Sequence, residues 1–413
     1  MGKVLFISHK YPPSIGGMEK QSYELINGMS KYVDIISITF DSAKENKFQF
    51  FWQLKSKVKR ALHDHPEINA IHLNDGLMAA FTLWLKDITD LPIFVTFHGL
   101  DLTFPSFIYQ KHVLPKIKTY SGFFAVSSFT SRMLVKRGFD ESKIHVVKNG
   151  VDISSQLLTN TNEDALSSTL IPIKNKKLLL AVGRPVKRKG FSWFVKNVLS
   201  ELPEDFVFLI AGSFDQKQSK LEQIIGFLPS KLSKLLCLFF GIPDDKIELR
   251  KLAKQSEYKN KLHLLPRLSD DDLNKIYSLS DLFLMPNIKV KGDMEGFGLV
   301  ALEASVKGLP VLVSGIEGIR DAIQDEKNGY AIESENAVVW REKILKLFST
   351  GEQLLINAEA FRDYTVNNYS WNKMCFNYYR VLKDYLPIAQ KVRHYNSYIN
   401  YTASKDFLLV GQA

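Results

Sequence analysis

Short runs of β-branched and aromatic residues alternate with helical stretches along this chain, and the alternation happens twice. The first set is VLFIS (4–8), VDIISITF (33–40), AIHLN (70–74), PIFVTF (92–97), FFAVS (123–127) and IHVVKNG (144–150). A polar, loop-like stretch follows over 153–176, and the second set then runs LLLAVG, FVFLIAG, LHLLP, LFLMPN, PVLVS and GYAI. Strand alternating with helix specifies a parallel, doubly wound α/β sheet, because a crossover helix must cover each face. Two sets imply two sheets, in keeping with 413 residues, more than one core usually organises. We expect a first Rossmann-like domain over 1–165 and a second over 170–370. The helical stretch WNKMCFNYYRVLKDYL could pack on either; we expect 371–390 to cross back to the first domain, with 391–413 as a tail. Two such sheets facing one another would form a cleft at the carboxyl ends of their strands, where these folds bind ligands.

Composition narrows the function. Apolar and charged fractions of 45% and 24% are those of a soluble globular protein. The longest apolar run, LLCLFFGI, is too short to span a bilayer, and the first residues do not read as a signal peptide, so a cytoplasmic location is expected. Cys237 and Cys375 lie far apart without metal-ligand spacing and read as core thiols. A formal charge of +10 favours anionic partners: phosphate esters, acidic lipid or nucleic acid. The lysines are dispersed and carry no RRM, KH or helix-turn-helix pattern, which argues against nucleic acid. AVSSFTS lacks G-x-S-x-G, which argues against a serine hydrolase.

The chemistry-bearing residues stand just after strands. Gly16 and Gly17 precede a helix on which Met18, Ser22, Leu25, Ile26 and Met29 share a face, so free N–H groups there would favour an anion. AVGRPVKRKGF puts Arg184 and Lys189 in a strand-to-helix loop that is not a Walker A loop; it would suit a diphosphate, or be a solvated basic turn. In GDMEGFGLVALEAS, Gly296 and Gly298 oppose a continuous helix. Glu295 therefore belongs to a loop and Glu303 to a helix starting near Leu299. Between them the N–H groups of Phe297, Gly298 and Leu299 would face an anion. That order of acid, anion hole and acid matches a sugar nucleotide, although Glu303 could be a solvent-facing residue favoured by the helix dipole. His98 follows an apolar strand in TFHGLD, where a histidine can cap backbone or act, and Asp101 beside it could orient acceptor or sugar.

With these motifs in order, the sequence resembles the retaining, GT-B-fold glycosyltransferases of family 4 (glycosyl transferases group 1). The resemblance rests on EGFGLVALEA, then GLPVLVS and NGYAI, with VGRPVKRKGF, NGVD and YSWNKM. It implies that Glu295 holds the donor sugar, Glu303 the ribose hydroxyls, and Arg184 and Lys189 the diphosphate. It also implies that His98 lies beside the reacting sugar and that transfer retains anomeric configuration. His98 and Glu295 are thus the expected catalytic pair. The charge growing on the departing diphosphate would be met by cations and helix amides, with no cofactor or metal, since no DxD-like pair stands at a strand end.

The expected partners are a UDP- or GDP-linked sugar and a glycan or lipid-linked acceptor in cell-surface polysaccharide or lipopolysaccharide assembly. An anionic membrane surface is added by two basic amphipathic stretches. KFQFFWQLKSKVKRAL (47–62) has Phe51, Leu54, Val58 and Leu62 on one face and Lys55, Lys59 and Arg60 elsewhere, and LPSKLSKLLCLFFGIP (228–243) mixes lysines with an apolar run, although such stretches are more often ordinary domain helices. SFDQ stands where the family often has a Gly-rich turn, and 214–260 is longer than usual, which bears on the nucleobase edge. A GT-B epimerase or a noncatalytic glycan-assembly subunit would share the architecture; the latter would be expected to lose Glu295 or Arg184, which this chain keeps.

Overall fold

A computed structural model describes residues 2–153, 175–214, 228–229, 245–387 and 399–400. The 228–243 stretch beyond Pro229, Cys237 and most of 214–244 therefore lie outside the described residues. The chain divides into two compact units, 1–150 with 369–413, and 151–368.

The first unit is a parallel sheet of β1 (Lys3–Ser8), β2 (Asp34–Thr39), β3 (Ile68–Leu73), β4 (Ile93–Phe97), β5 (Gly122–Ala125) and β6 (Ile144–Val146), in the order 2-1-3-4-5-6. A two-residue strand, Ile399–Asn400, pairs parallel on the free edge of β2. The second unit holds β7 (Lys177–Val182), β8 (Phe206–Ala211), β9 (Leu262–Leu265), β10 (Leu282–Met285), β11 (Val311–Ser314) and β12 (Tyr330–Ile332), in the order 12-11-10-7-8-9, again parallel. Every strand expected from the sequence forms. The central strands read as unbroken apolar runs because both faces are covered: Val4 to Ile7 and Leu178 to Ala181 are all buried.

Strand order has a chemical consequence. The direction in which successive strands are added reverses between β1 and β3 in the first sheet and between β7 and β10 in the second. At such switch points the loops leaving neighbouring strands diverge to opposite faces and leave a crevice beyond the carboxyl ends.

The helix Trp371–Leu382 packs on the helix Gly17–Met29 of the first unit. Its start is capped by Ser370, whose Oγ accepts the Lys373 N–H at 3.1 Å. Tyr378, fully buried, ties it to the sheet: its hydroxyl lies 2.9 Å from Thr96 Oγ1, which in turn lies 3.0 Å from His72 Nε2. Burial holds the His72 imidazole down to about 3, so it stays neutral within this chain of hydrogen bonds. Gln21 and Asn74 continue the network, with Asn74 Nδ2 donating to Gln21 Oε1 at 2.9 Å. Cys375, on the same helix, is a buried thiol pushed up to about 12 by its apolar surroundings.

The helix Lys47–Asp64 corrects one expectation. Its buried stripe is Phe50, Leu54, Val58 and Ala61, while Phe51 and Leu62 are only half-buried at its border. The sequence stripe included Leu54 and Val58 correctly but chose the wrong neighbour at each end. A row of adjacent aromatics leaves the phase ambiguous until the sheet supplies the facing surface. Phe48 and Trp52, 78% and 79% exposed, stack on each other on the solvent side, with ring centroids 6.1 Å apart.

Candidate active site

In the second unit the switch point lies between the loop after β7 (183–190) and the loop after β10 (286–298). Two devices hold these loops together. The Ile288 N–H donates to the Arg188 carbonyl at 2.9 Å. Gly190, at φ 67°, runs so close to Pro286 that a Cβ there would lie 1.9 Å from its carbonyl oxygen. The buried Asp245 carboxylate anchors the far side of the first loop by accepting the Ser192 N–H at 3.1 Å.

That zipper brings two of the expected residues together. Lys189 Nζ lies 2.8 Å from Glu295 Oε2, with side chains 9% and 14% exposed. The same carboxylate oxygen accepts from Arg188 Nε at 3.3 Å and from Asn287 Nδ2 at 3.2 Å. Arg188 Nη1 also reaches Asp293 at 3.1 Å. Burial alone would raise the Glu295 carboxyl, but Lys189 and Arg188 outweigh it and hold it at about 2. Burial lowers Lys189 in turn, against the pull of Glu295. Arg188 is raised, because Glu295 and Asp293 overcome the cost of its burial.

Arg184 differs. It is exposed, sits near enough to Lys189 to repel it, and has no ion pair among the described residues. Of the four cations in this loop, Arg188 and Lys189 are neutralised internally, Lys187 lies 3.8 Å from the buried Asp245 carboxylate, and Arg184 faces outward.

Phe297 is buried, Gly298 takes the left-handed conformation at φ 100°, and the helix Leu299–Val306 begins at the expected residue. Glu303 lies in that helix, half-buried; Tyr277, whose hydroxyl is pushed well up chiefly by burial, feels its charge. The loop after β11 closes on the stretch preceding Phe297. Gly318 N–H donates to the Glu295 carbonyl at 3.1 Å, and a Cβ on Gly318 would lie 1.9 Å from the Gly296 carbonyl oxygen. Its neighbour Glu317, at φ 49°, accepts the Glu295 N–H through Oε2 at 2.6 Å. Burial first, then the charges of Glu295 and Asp293, push the Glu317 carboxyl up to about 7.

In the first unit, His98 and Asp101 share one small loop. His98 Nε2 lies 2.9 Å from the Asn74 carbonyl, which can only accept, so that nitrogen carries the proton and Nδ1 is left as the acceptor. Asp101, expected to orient acceptor or sugar, is committed to the backbone. It takes N–H bonds from His98 at 3.1 Å, Gly99 at 2.8 Å and Gly76 at 3.1 Å, while burial pushes its carboxyl up. Its place is to hold the His98 loop against the start of the helix Gly76–Phe81.

Gly16 and Gly17 open the helix Gly17–Met29 as expected. The positive end of that helix already faces a carboxylate of the chain itself. Glu19, in the first turn, is buried, pairs with Lys10 at 3.2 Å, and would stand 2.4 Å from a Cβ on Gly16.

Arg188, Asp293, Asn287 and Glu317 were not singled out from the sequence. Arg188 lies in the basic loop that was, but spacing cannot tell which of three neighbouring cations turns inward. The other three join the site only through loops that meet at the end of the sheet. Among the described residues, no cluster of His, Cys, Asp or Glu could hold a metal ion.

Comparison with known proteins agrees with this architecture. The model for glycosyl transferases group 1 matches residues 164–364, and that for glycosyltransferase family 4 matches 15–155. An uncharacterized glycosyltransferase of Methanocaldococcus jannaschii is 22% identical over 92% of this chain and 98% of its own length. The D-inositol 3-phosphate glycosyltransferase of Salinispora tropica is 30% identical, but over only 34% of this chain and 26% of its own. Among solved structures, Anabaena HepE in complex with UDP has a TM-score of 0.71 at 16% identity, covering 92% of this chain and all of that one. Sucrose-phosphate synthase of Thermosynechococcus elongatus has 0.68 at 16%, covering 93% and 99%. With two Rossmann-like units, the strand-end loops described above and both family models matched in sequence order, the chain belongs to the group 1 glycosyltransferases of the GT-B fold.

Proposed function

We propose that this glycosyltransferase moves a hexosyl group from a UDP- or GDP-linked sugar, with retention of anomeric configuration, to a glycan or lipid-linked acceptor of cell-surface polysaccharide or lipopolysaccharide. The observation that carries the reading is the charge arrangement at the β7/β10 switch point. Arg184, which has no ion pair among the described residues, stands beside a Lys189 that Glu295 holds in place. A diphosphate arriving there meets one exposed guanidinium and one ammonium whose position is already set, so little ordering remains to be done when leaving-group charge develops. Glu295, fully ionised, is a hydrogen-bond acceptor suited to sugar hydroxyls, and Glu303 to those of a ribose. No metal is invoked, because fixed cations and the N–H groups around Gly298 supply the positive charge. The UDP bound in the Anabaena relative supports a uridine donor. Thermal melting against a panel of UDP- and GDP-sugars tests this: a rise of several degrees with one nucleotide series is expected, and no rise with either would remove the donor assignment.

On the acceptor side, the reading places the enzyme at the cytoplasmic face of an anionic membrane. Among the described residues, no helix is long and apolar enough to cross one. The helix Lys47–Asp64 exposes the stacked Phe48 and Trp52 together with Lys55, Lys59 and Arg60, and Lys55 lies 5.5 Å from the Trp84 ring. Aromatic side chains between lysines suit the headgroup boundary of acidic lipid. Replacing both Phe48 and Trp52 by Ala is expected to cut sedimentation with phosphatidylglycerol vesicles by about tenfold or more, without change in melting temperature. Equal sedimentation with and without the anionic lipid would remove the membrane from this reading.

A further inference from the structure

The β7/β10 switch point carries a third carboxyl group besides those of Asp293 and Glu295. Glu317 lies on the loop after β11, next to Gly318, whose N–H donates to the Glu295 carbonyl at 3.1 Å. Its backbone holds the left-handed conformation at φ 49°, which a residue with a Cβ adopts at a cost and keeps where surrounding contacts impose it. Here the contact is made by its own side chain, since Oε2 accepts the Glu295 N–H at 2.6 Å. The other oxygen, Oε1, makes no hydrogen bond among the described residues. A carboxyl group with one oxygen committed and one open is thus fixed beside the residue that would hold the donor sugar.

Charge decides what that open oxygen can do. The charged groups on the elements meeting there are Arg184, Arg188 and Lys189 after β7, Asp293 and Glu295 after β10, Glu303 on the helix Leu299–Val306, and Arg320 and Asp321 just beyond Glu317. Arg188 and Lys189 are balanced by Asp293 and Glu295. Arg320 donates its Nε–H to the Gly315 carbonyl. An ionised Glu317 would offset the charge of Arg184 and set a carboxylate against an arriving diphosphate. A neutral Glu317 leaves the Arg184 charge in force and can donate an O–H from Oε1 to a phosphate or sugar oxygen. We infer that Glu317 is a donor-binding residue that enters the complex as the neutral acid, so that the enzyme takes up one proton with each nucleotide sugar. The inference rests on the donor assignment proposed above. In the ligand-free enzyme, burial, then the charges of Glu295 and Asp293, already push this carboxyl up to about 7 against the Glu295 N–H and Arg188. A bound diphosphate adds negative charge and pushes it further the same way.

The test is calorimetric titration of the whole enzyme with UDP- and GDP-sugars from about pH 5.5 to about pH 8.5, in two buffers of different ionisation enthalpy. A nucleotide sugar is the probe because its diphosphate is esterified at both ends and does not titrate in that range, unlike the terminal phosphate of free UDP. Wild type should bind its donor up to about tenfold more weakly for each pH unit above about 7, and take up close to one proton per donor at about pH 8.5. Glu317→Gln keeps an oxygen for the Glu295 N–H and is neutral at every pH. It should bind donor at about pH 8 as wild type does at about pH 6, with no proton uptake. Loss of the Lys189 charge would weaken binding in the same direction, but that dependence would persist in Glu317→Gln. Melting without ligand gives a second readout. A carboxyl raised from an ordinary 4.5 to about 7 contributes stability that is fully present below about pH 4.5 and lost as pH rises through about 7. The melting temperature of Glu317→Gln should therefore gain on that of wild type across this span, and a constant difference overturns the assignment. Donor affinity that is flat with pH, or a dependence unchanged in Glu317→Gln, overturns it too. Proton uptake is measured on wild type and decides the matter if the variant fails to fold. No binding of any nucleotide sugar at any pH overturns the donor reading and Glu317 with it, whereas donor binding without proton uptake overturns the role of Glu317 alone.

Discussion

Arg184→Ala is expected to lower kcat/KM for transfer by about 10²- to 10³-fold while melting at the wild-type temperature. Its side chain is exposed and makes no ion pair among the described residues, so folding loses nothing when it is removed. The neighbouring cations cannot replace it. Lys189 and Arg188 already face Glu295 and Asp293, and drawing either away would leave a buried carboxylate short of its partner. Loss of this one guanidinium therefore removes the uncompensated positive charge at the β7/β10 switch point. Arg184→Lys should recover only part of the rate, because an ammonium cannot bind two phosphate oxygens through a planar fork. Steady-state kinetics with a melting curve on each variant decide it; full activity in Arg184→Ala would mean that the diphosphate is held elsewhere.

Glu295→Ala should act on stability as much as on rate. It strands Lys189, 7% exposed, and half of the Arg188 guanidinium without an anion. Removing one member of a buried pair typically costs about 3–5 kcal/mol, which for a unit of this size is a fall of about 10 °C. The double variant Glu295→Leu with Lys189→Met should regain most of that stability, since no unpaired charge is left and Arg188 keeps Asp293. It should remain inactive. The pH dependence has a definite sign. Glu295 is depressed to about 2 from an ordinary 4.5, so its contribution is fully present above about pH 4.5 and is lost as pH falls toward 2. Acid melting of wild type should therefore steepen across that interval, and the double variant should not show the step. If Glu295→Ala melts like wild type, the network is not the brace described here.

The strands were legible almost residue by residue, because a parallel sheet covered on both faces demands continuous apolar runs bounded by polar turns. Glu295 and Glu303 could be assigned to loop and helix from Gly296 and Gly298 alone. Two other features could not be read. The aromatic row at Phe48 to Trp52 satisfies more than one helical phase, and only the sheet beneath selects Phe50 and Ala61 as its buried border. The loop cations Arg184, Arg188 and Lys189 look equivalent in sequence, and only the contact of two loops makes two of them inward and one outward.

Local pattern determined which segments are strands and helices, how many sheets there are, and that charged residues gather just past strand ends, since each follows from side-chain periodicity and turn chemistry within a few residues. Tertiary structure decided the pairings: Lys189 with Glu295, Arg188 with Asp293, Glu317 with the Glu295 backbone, Asp101 with its three amides, and His9 with Asp75. Those partners are separated by up to about a hundred residues and meet only because strand order places particular carboxyl ends side by side. Strand order is a property of the whole sheet that no stretch of sequence states.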